Sequence, residues 1–336
     1  MGSSVAASLG RSKPQPGGRL WLGIVLATIA VATVGCLPDK PQARTTPPPA
    51  TPTPAPSEQV AAETSRPTAE PGPGQGEPIS ETLPRDRFHN PTTINNDWLP
   101  LVPGTRMVFD GDVTIDGVRI SHSIMSTVTD LVKVIDGIEA IVVYEVDLLA
   151  GEVVEAEIAF FAQDDDGTVW LMGEYPEEYE AGALLDAPTW LSGIQGAAAG
   201  ILITADPKIT DPSRSQGFGP AVDFYDRARV FETDSRTCVP LRCYDGILVM
   251  NEYNPNEPDA HQLKYYAGGI GVVRVGWAGA LEQSQEVLVL VERRELSPDE
   301  LAAIRAVALA LEAHAYEVSP DVYGETEPAE PWGGER

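Results

Sequence analysis

Cations are scarce in this chain: 23 Lys and Arg face 50 Asp and Glu, for a net charge of −27 over 336 residues. A protein that neutralises nucleic-acid phosphates needs the opposite balance, so nucleic acid is not an expected partner. The same deficit counts against electrostatic adhesion to anionic lipid. Histidine is scarcer still. His89, His122, His261 and His314 are widely separated, and no H-E-x-x-H occurs, so the sequence calls for no metal and no other cofactor. His122, in "ISHSIMS", reads as a strand residue facing solvent, and His314 as one near the exposed side of a terminal helix. The G-x-S-x-G elbow and the G-x-x-x-x-G-K-[ST] loop are both missing. "GGIG" at Gly268 to Gly271 lacks the lysine and reads as a bend between strands. No residue is assigned a catalytic role.

Cysteine is limited to Cys36, Cys238 and Cys243, and no uncharged apolar run reaches the about 20 residues of a membrane span. The first 19 residues carry Arg11, Lys13 and Arg19 and no acid; Leu20 to Val34 then gives fifteen uncharged residues, followed by Gly35-Cys36. A basic leader, a short apolar core and a small residue form the pattern of a secretory signal, expected to occupy residues 1–35. Thr33-Val34-Gly35-Cys36 resembles the lipobox of bacterial lipoproteins, although Thr33 stands where that motif usually has leucine. The resemblance implies a lipidated Cys36 that anchors the chain to the bacterial membrane. The alternatives are an uncleaved short anchor, or a signal cut nearby that leaves an unmodified thiol, and the main readings put the rest of the chain outside the cytoplasm. Cleavage would remove the three leader cations from a chain of −27 and leave −30. Setting Cys36 aside, Cys238 and Cys243 in "CVPLRC" are an even remainder at close spacing in an exported chain, which reads as one disulfide pinning a hairpin.

Residues 37–84 hold thirteen prolines and no aromatic residue, so residues 36–84 are expected to be a disordered, solvated tether. Residues 319–336 ("SPDVYGETEPAEPWGGER") read as an acidic disordered tail, leaving 85–318 as a single β-rich domain. Asp-Gly pairs at 110–111, 116–117, 136–137 and 166–167, set between β-branched runs, indicate an antiparallel meander. "QDDDG" lacks an acid at the first position of a calcium loop and reads as a tight turn. "GEYPEEYE" (Gly173 to Glu180) could hold a hard cation, but reads more simply as a solvated acidic loop whose tyrosines cover the sheet edge. Pro176 to Ala228 is rich in Gly, Pro and Ala and predicts long loops with a short helix or two. Strand patterns then resume up to Ser297-Pro298-Asp299-Glu300, a capping box that opens a helix with Leu301, Ile304, Ala308 and Leu311 on one side. The expected fold is mainly β: a curved antiparallel sheet or open half-barrel with a long crossing loop region and a C-terminal helix. The Asn-rich segment before the first strand should close the barrel bottom, with Trp98 as a core plug.

"FHNPTTINNDWLPLVPGTRMVFDG", "AFFAQDDDGTVWLMGEYPEEYE" and "LKYYAGGIGVVRVG" resemble an uncharacterised family of bacterial exported lipoproteins. "PLVPGTRMVF" and "YYAGGIGVV" are more loosely similar to strands of half-barrel envelope lipoproteins, which implies a concave apolar face. The resulting expectation is a membrane-tethered extracytoplasmic binding module for an apolar or amphiphilic ligand. Trp190, Phe218, Phe224 and Tyr225 are the candidate lining of its mouth. The alternatives are an envelope scaffold without a small ligand and a hydrolase with its site in residues 181–224. The sequence names neither the ligand nor a protein partner.

Overall fold

The computed structural model describes residues 78–257 and 259–333. The signal, Cys36 and the tether up to residue 77 lie outside the described residues. Five long strands open the fold as an antiparallel meander: β1 (Thr105–Ile115), β2 (Val118–Ile135), β3 (Ile138–Leu149), β4 (Glu152–Gln163) and β5 (Val169–Glu180). Short strands follow: β6 (Ala183–Asp186), β7 (Trp190–Leu191), β8 (Ala198–Ile203), β9 (Arg214–Ser215) and β10 (Gly217–Phe218). A second meander comprises β11 (Arg227–Val239), β12 (Arg242–Tyr253), β13 (His261–Ala267), β14 (Gly271–Ala278) and β15 (Ser284–Glu295). The chain ends in helices α1 (Pro298–Val318) and α2 (Pro320–Tyr323) and strand β16 (Glu330–Pro331).

Pairing of β15 with β1 joins the two meanders into one antiparallel sheet that curls into a nearly closed barrel. Its two ends meet at a seam. There the segment 214–218 pairs by Arg214 and Ser215 with β11, and by Gly217 and Phe218 with β8. This strap is the joint of the ring, and each of its ladders is only two residues long. The stretch 176–228 therefore contains short strands and no helix; pairs this short leave no periodic trace in a sequence.

The Asp116-Gly117 and Asp136-Gly137 turns are present, with both residues of each at positive φ, the conformation of the favoured hairpin turn. Asp110-Gly111, expected as a third, lies inside β1 opposite Val289 and Leu288. A Cβ on Gly111 would come 1.9 Å from the Val287 carbonyl oxygen, so this glycine serves close strand approach rather than a turn. In the 164–168 turn, the Asp164 carboxylate accepts the N–H groups of Asp166 and Thr168 and the indole N–H of Trp170. Asn96 accepts the N–H of Trp98 and donates to the Gly167 and Thr204 carbonyls, closing the barrel bottom; Trp98 is half-buried against the core there.

The outer face of β2 to β5 is covered by α1, whose capping box at Ser297 and Glu300 forms as expected. Ala308, Glu312 and Ala315 are its buried residues. The chain after Val318 departs from the expected disordered tail. Val322, Tyr323 and Ala329 are buried in the same cluster, and β16 pairs with Leu131 and Val132 of β2. Its acidic and proline-rich letters conceal three apolar side chains that complete the cover.

Cys238 and Cys243 face each other across the β11–β12 hairpin and are disulfide-bonded. So short a loop contributes about 2 kcal/mol in the chain-entropy model. Replacing both by serine should lower stability by about that amount in denaturant unfolding. In native exported protein neither sulfur should react with a thiol label before reduction; labelling of both would contradict the bridge.

Candidate functional site

Strand alternation divides the barrel interior into two halves. Phe109, Ile124, Val143, Phe161, Leu248, Tyr266, Val273 and Leu290 are buried together in one half. Moving along the same faces toward the 116–117 and 150–151 turns, the letters change from apolar to acidic. Beyond Val143 on β3 come Glu145 and Asp147, and beyond Ala159 on β4 come Glu157 and Glu155, all buried. Register sets these carboxylates opposite one another: Glu145 faces Glu157, Asp147 faces Glu155, and Glu155 faces Glu178 of β5. From the second meander come Glu252, Gln262, Lys264 and Glu286, each under 5% exposed. Glu174 and Asp226, also buried, complete the set at the seam.

Among the described residues, His122 and Lys264 are cations set into this concentration of acid. His122 lies between Asp147 (Nε2 to Oδ1, 2.5 Å) and Glu286 (Nδ1 to Oε1, 2.8 Å). Burial pushes the imidazole down, but the two carboxylate contacts prevail and lift its pKa to about 10, so it is an imidazolium, hydrogen-bonded to Asp147 through Nε2 and paired in charge with Glu286 through Nδ1. Lys264 lies 2.7 Å from Glu252, whose other oxygen accepts from Gln216 of the strap at 3.0 Å. Gln262 donates to Glu286 at 2.8 Å. The carboxylates outnumber these cations, and burial raises several of them. Glu145 is pushed up to about 7, chiefly by desolvation and against the opposing hydrogen bond from Ser126 and charge of Lys264. Asp147 rises to about 6 for the same first reason, although His122 pulls it down.

Asp226 stands apart. It is 1% exposed, and among the described residues neither of its carboxylate oxygens has a hydrogen-bond partner. Burial raises its pKa well above the usual carboxylate range, with Glu174 and Glu252 adding to the rise. Its own carbonyl accepts the Gln216 N–H at 2.7 Å, which fixes Asp226 beneath the strap. The strap is pinned from outside by the first described residues: Glu81 accepts the Ser215 N–H, and Arg227 donates to the Pro78 carbonyl. Residues 78–84, expected to belong to the solvated tether, are thus packed on the barrel.

The four aromatic candidates come together as two pairs. Trp190 and Phe224 stack at 5.0 Å, and Phe218 and Tyr225 meet at 5.5 Å. Trp190 and Phe224 are buried, so they form the packed floor of the seam rather than the rim of an open mouth. A Cβ on Gly217 of the strap would come within 2.7 Å of both rings. The Trp190 indole N–H donates to Glu174 at 3.1 Å, which links this floor to the acidic half. Phe218 and Tyr225 are half-buried.

Two expectations are overturned. His122 does not face solvent; it is 2% exposed in the barrel interior. "GEYPEEYE" is not a solvated loop but the buried second half of β5. Its residues alternate, with Glu174 and Glu178 inside, and Tyr175 and Glu177 under α1, where Glu177 also accepts from His314 at 2.6 Å. One signal could have found the interior set. Ile120, His122 and Ile124 share a period-two face, as do Glu286, Leu288 and Leu290. His122 on β2 and the perturbed Glu145 and Asp147 on β3 lie together here rather than in residues 181–224. Among the described residues no group of three His, Cys, Asp or Glu side chains has a metal-holding arrangement.

No protein-family model matches the chain, and no curated protein matches it. Two solved structures are similar to parts of it. One is described as an exported protein with a YmcC-like fold from Bacteroides fragilis NCTC 9343, at 14% identity and a TM-score of 0.36, covering 60% of this chain and 100% of that one. The other is described as a lipoprotein from Parabacteroides distasonis ATCC 8503, at 13% identity and a TM-score of 0.31, covering 59% and 99%. At such scores the likeness bears on neither fold detail nor function.

Proposed function

We propose that this chain is an extracytoplasmic binding module, tethered to the bacterial membrane through lipidated Cys36 and the linker, that takes its ligand into the acidic half of the barrel. The observation that carries this reading is Asp226. A buried carboxylate without a donor is costly, and native proteins rarely leave one so. We therefore place recognition at the seam, where this carboxylate lies, rather than on a concave apolar face. Trp190 and Phe224 would then wall the ligand from below, and the strap would cover it.

The buried, mutually packed apolar cluster also favours a second reading, an envelope scaffold without a small ligand. Native mass spectrometry of the full-length chain, exported and mildly extracted, separates the two. The binding module predicts a reproducible extra mass that denaturing extraction releases and that Asp226→Asn reduces. Glu252→Gln serves as a second variant should Asp226→Asn fail to fold. A clean unliganded mass in the native protein would favour the scaffold.

A further inference from the structure

We propose that the ligand is an organic cation whose primary ammonium or guanidinium group is held by Asp226 beneath the Arg214–Phe218 strap, an inference that rests on the binding reading above. The buried Asp226 carboxylate offers two unpartnered acceptor oxygens. Burial keeps Asp226 protonated while the site is empty. A cation that enters favours the carboxylate, which can only accept, so the ligand has to donate, and Lys264, the near cation, lies 2.7 Å from Glu252. The charges acting on Asp226 are dominated by Glu174 and Glu252, so an anionic ligand would be repelled and a cationic one drawn in.

The form of the cation follows from donor geometry. A divalent metal needs several oxygens converging on one point, and no group of three candidate ligands among the described residues does so. An ammonium carries three donors and a guanidinium five, directed outward, which suits acceptors spread along a wall. The Trp190–Phe224 stack, tied to Glu174 by the indole N–H, adds an aromatic surface of the kind that accepts cations. Entry requires the strap to lift. Its two ladders are two residues each, and local opening favours segments with few ladder bonds.

The test is calorimetric titration of the purified full-length chain with 1,4-diaminobutane, spermidine, arginine amide, choline, magnesium and calcium. A primary ammonium or guanidinium probe should bind one to one. Its affinity should fall roughly 10- to 100-fold in Asp226→Asn, the loss expected for a hydrogen bond to a charged group. Choline, which has no ammonium N–H, should bind more weakly than the diamine. Binding that Asp226→Asn leaves unchanged would overturn the site. Binding of calcium or magnesium that depends on Asp226 would overturn the ligand class while leaving the binding module standing. If no probe binds but the native extra mass persists, the ligand class again falls alone. If no probe binds and the native mass is clean, both readings fall.

Discussion

Thermal stability should fall as pH rises from about 5 to 9. The cause is the barrel interior. Glu145 has a folded pKa of about 7 against an ordinary 4.5, and Asp147 about 6 against 3.8. In that interval the folded chain holds protons that the unfolded chain has released, so raising the pH favours unfolding. His122 acts in the same direction: its stabilisation is complete below its ordinary value of 6.5 and is lost as pH rises through about 10. His261 opposes the trend, because burial holds it below the usual histidine value and stability is gained as it loses its proton. At about 1.4 kcal/mol per pKa unit, the interior groups should together change stability by on the order of 5 kcal/mol. That corresponds to a Tm drop of roughly 10–20 °C for a domain of this size. Scanning calorimetry across pH checks it, and Glu145→Gln should flatten the limb between pH 5 and 7. A Tm that is level or rises over this range would contradict the account of a protonated acidic interior.

Lys133→Met should be the most damaging change outside the barrel. The Lys133 ammonium, on the outer face of β2, is fully buried and reaches Glu312 of α1 at 2.8 Å, the Glu327 carbonyl at 2.6 Å and the Tyr316 hydroxyl at 3.3 Å. It also lies 4.8 Å from the Tyr323 ring centroid. Glu312 in turn accepts the Ala329 N–H. One cation therefore gathers β2, α1 and the last described segment. Removing it leaves a buried carboxylate without its partner, which costs about 3–5 kcal/mol in comparable cases. Denaturant unfolding should show that loss, and limited proteolysis should find new cleavage between 324 and 333. Lys133→Met combined with Glu312→Leu should recover part of the stability, since an apolar pair of similar volume removes the orphaned charge. A loss under about 1 kcal/mol for Lys133→Met would contradict the assigned role.

The parts of the fold legible in the sequence are those governed by local chemistry. Asp136-Gly137 turns because both residues take positive φ, and Ser297 to Glu300 caps α1 because its side chains and backbone satisfy each other within four residues. The disulfide follows from cysteine number and spacing. The acidic interior was hidden because "GEYPEEYE" puts polar letters on both faces of a strand, and polarity alone cannot say which face is enclosed. The burial of His122 is hard to read for the same reason, although its apolar neighbours at period two point inward. The seam depends on pairings between residues far apart, such as Gly217 with Ala199 and Arg214 with Ala228, and no local pattern encodes them. The tail was misread because Tyr323 and Ala329 are isolated apolar residues in an acidic, proline-rich context, and their burial depends on α1 and β2 being in place.

The most direct test of the central claim is a high-resolution crystal structure of the exported full-length chain, read at Asp226. The account predicts density beneath the Arg214–Phe218 strap that belongs to no protein atom and places at least one donor within about 3 Å of the Asp226 carboxylate. An Asp226 side chain that shares a proton with Glu174 or Glu252, with no other density beside it, would contradict the proposal that this is a ligand site.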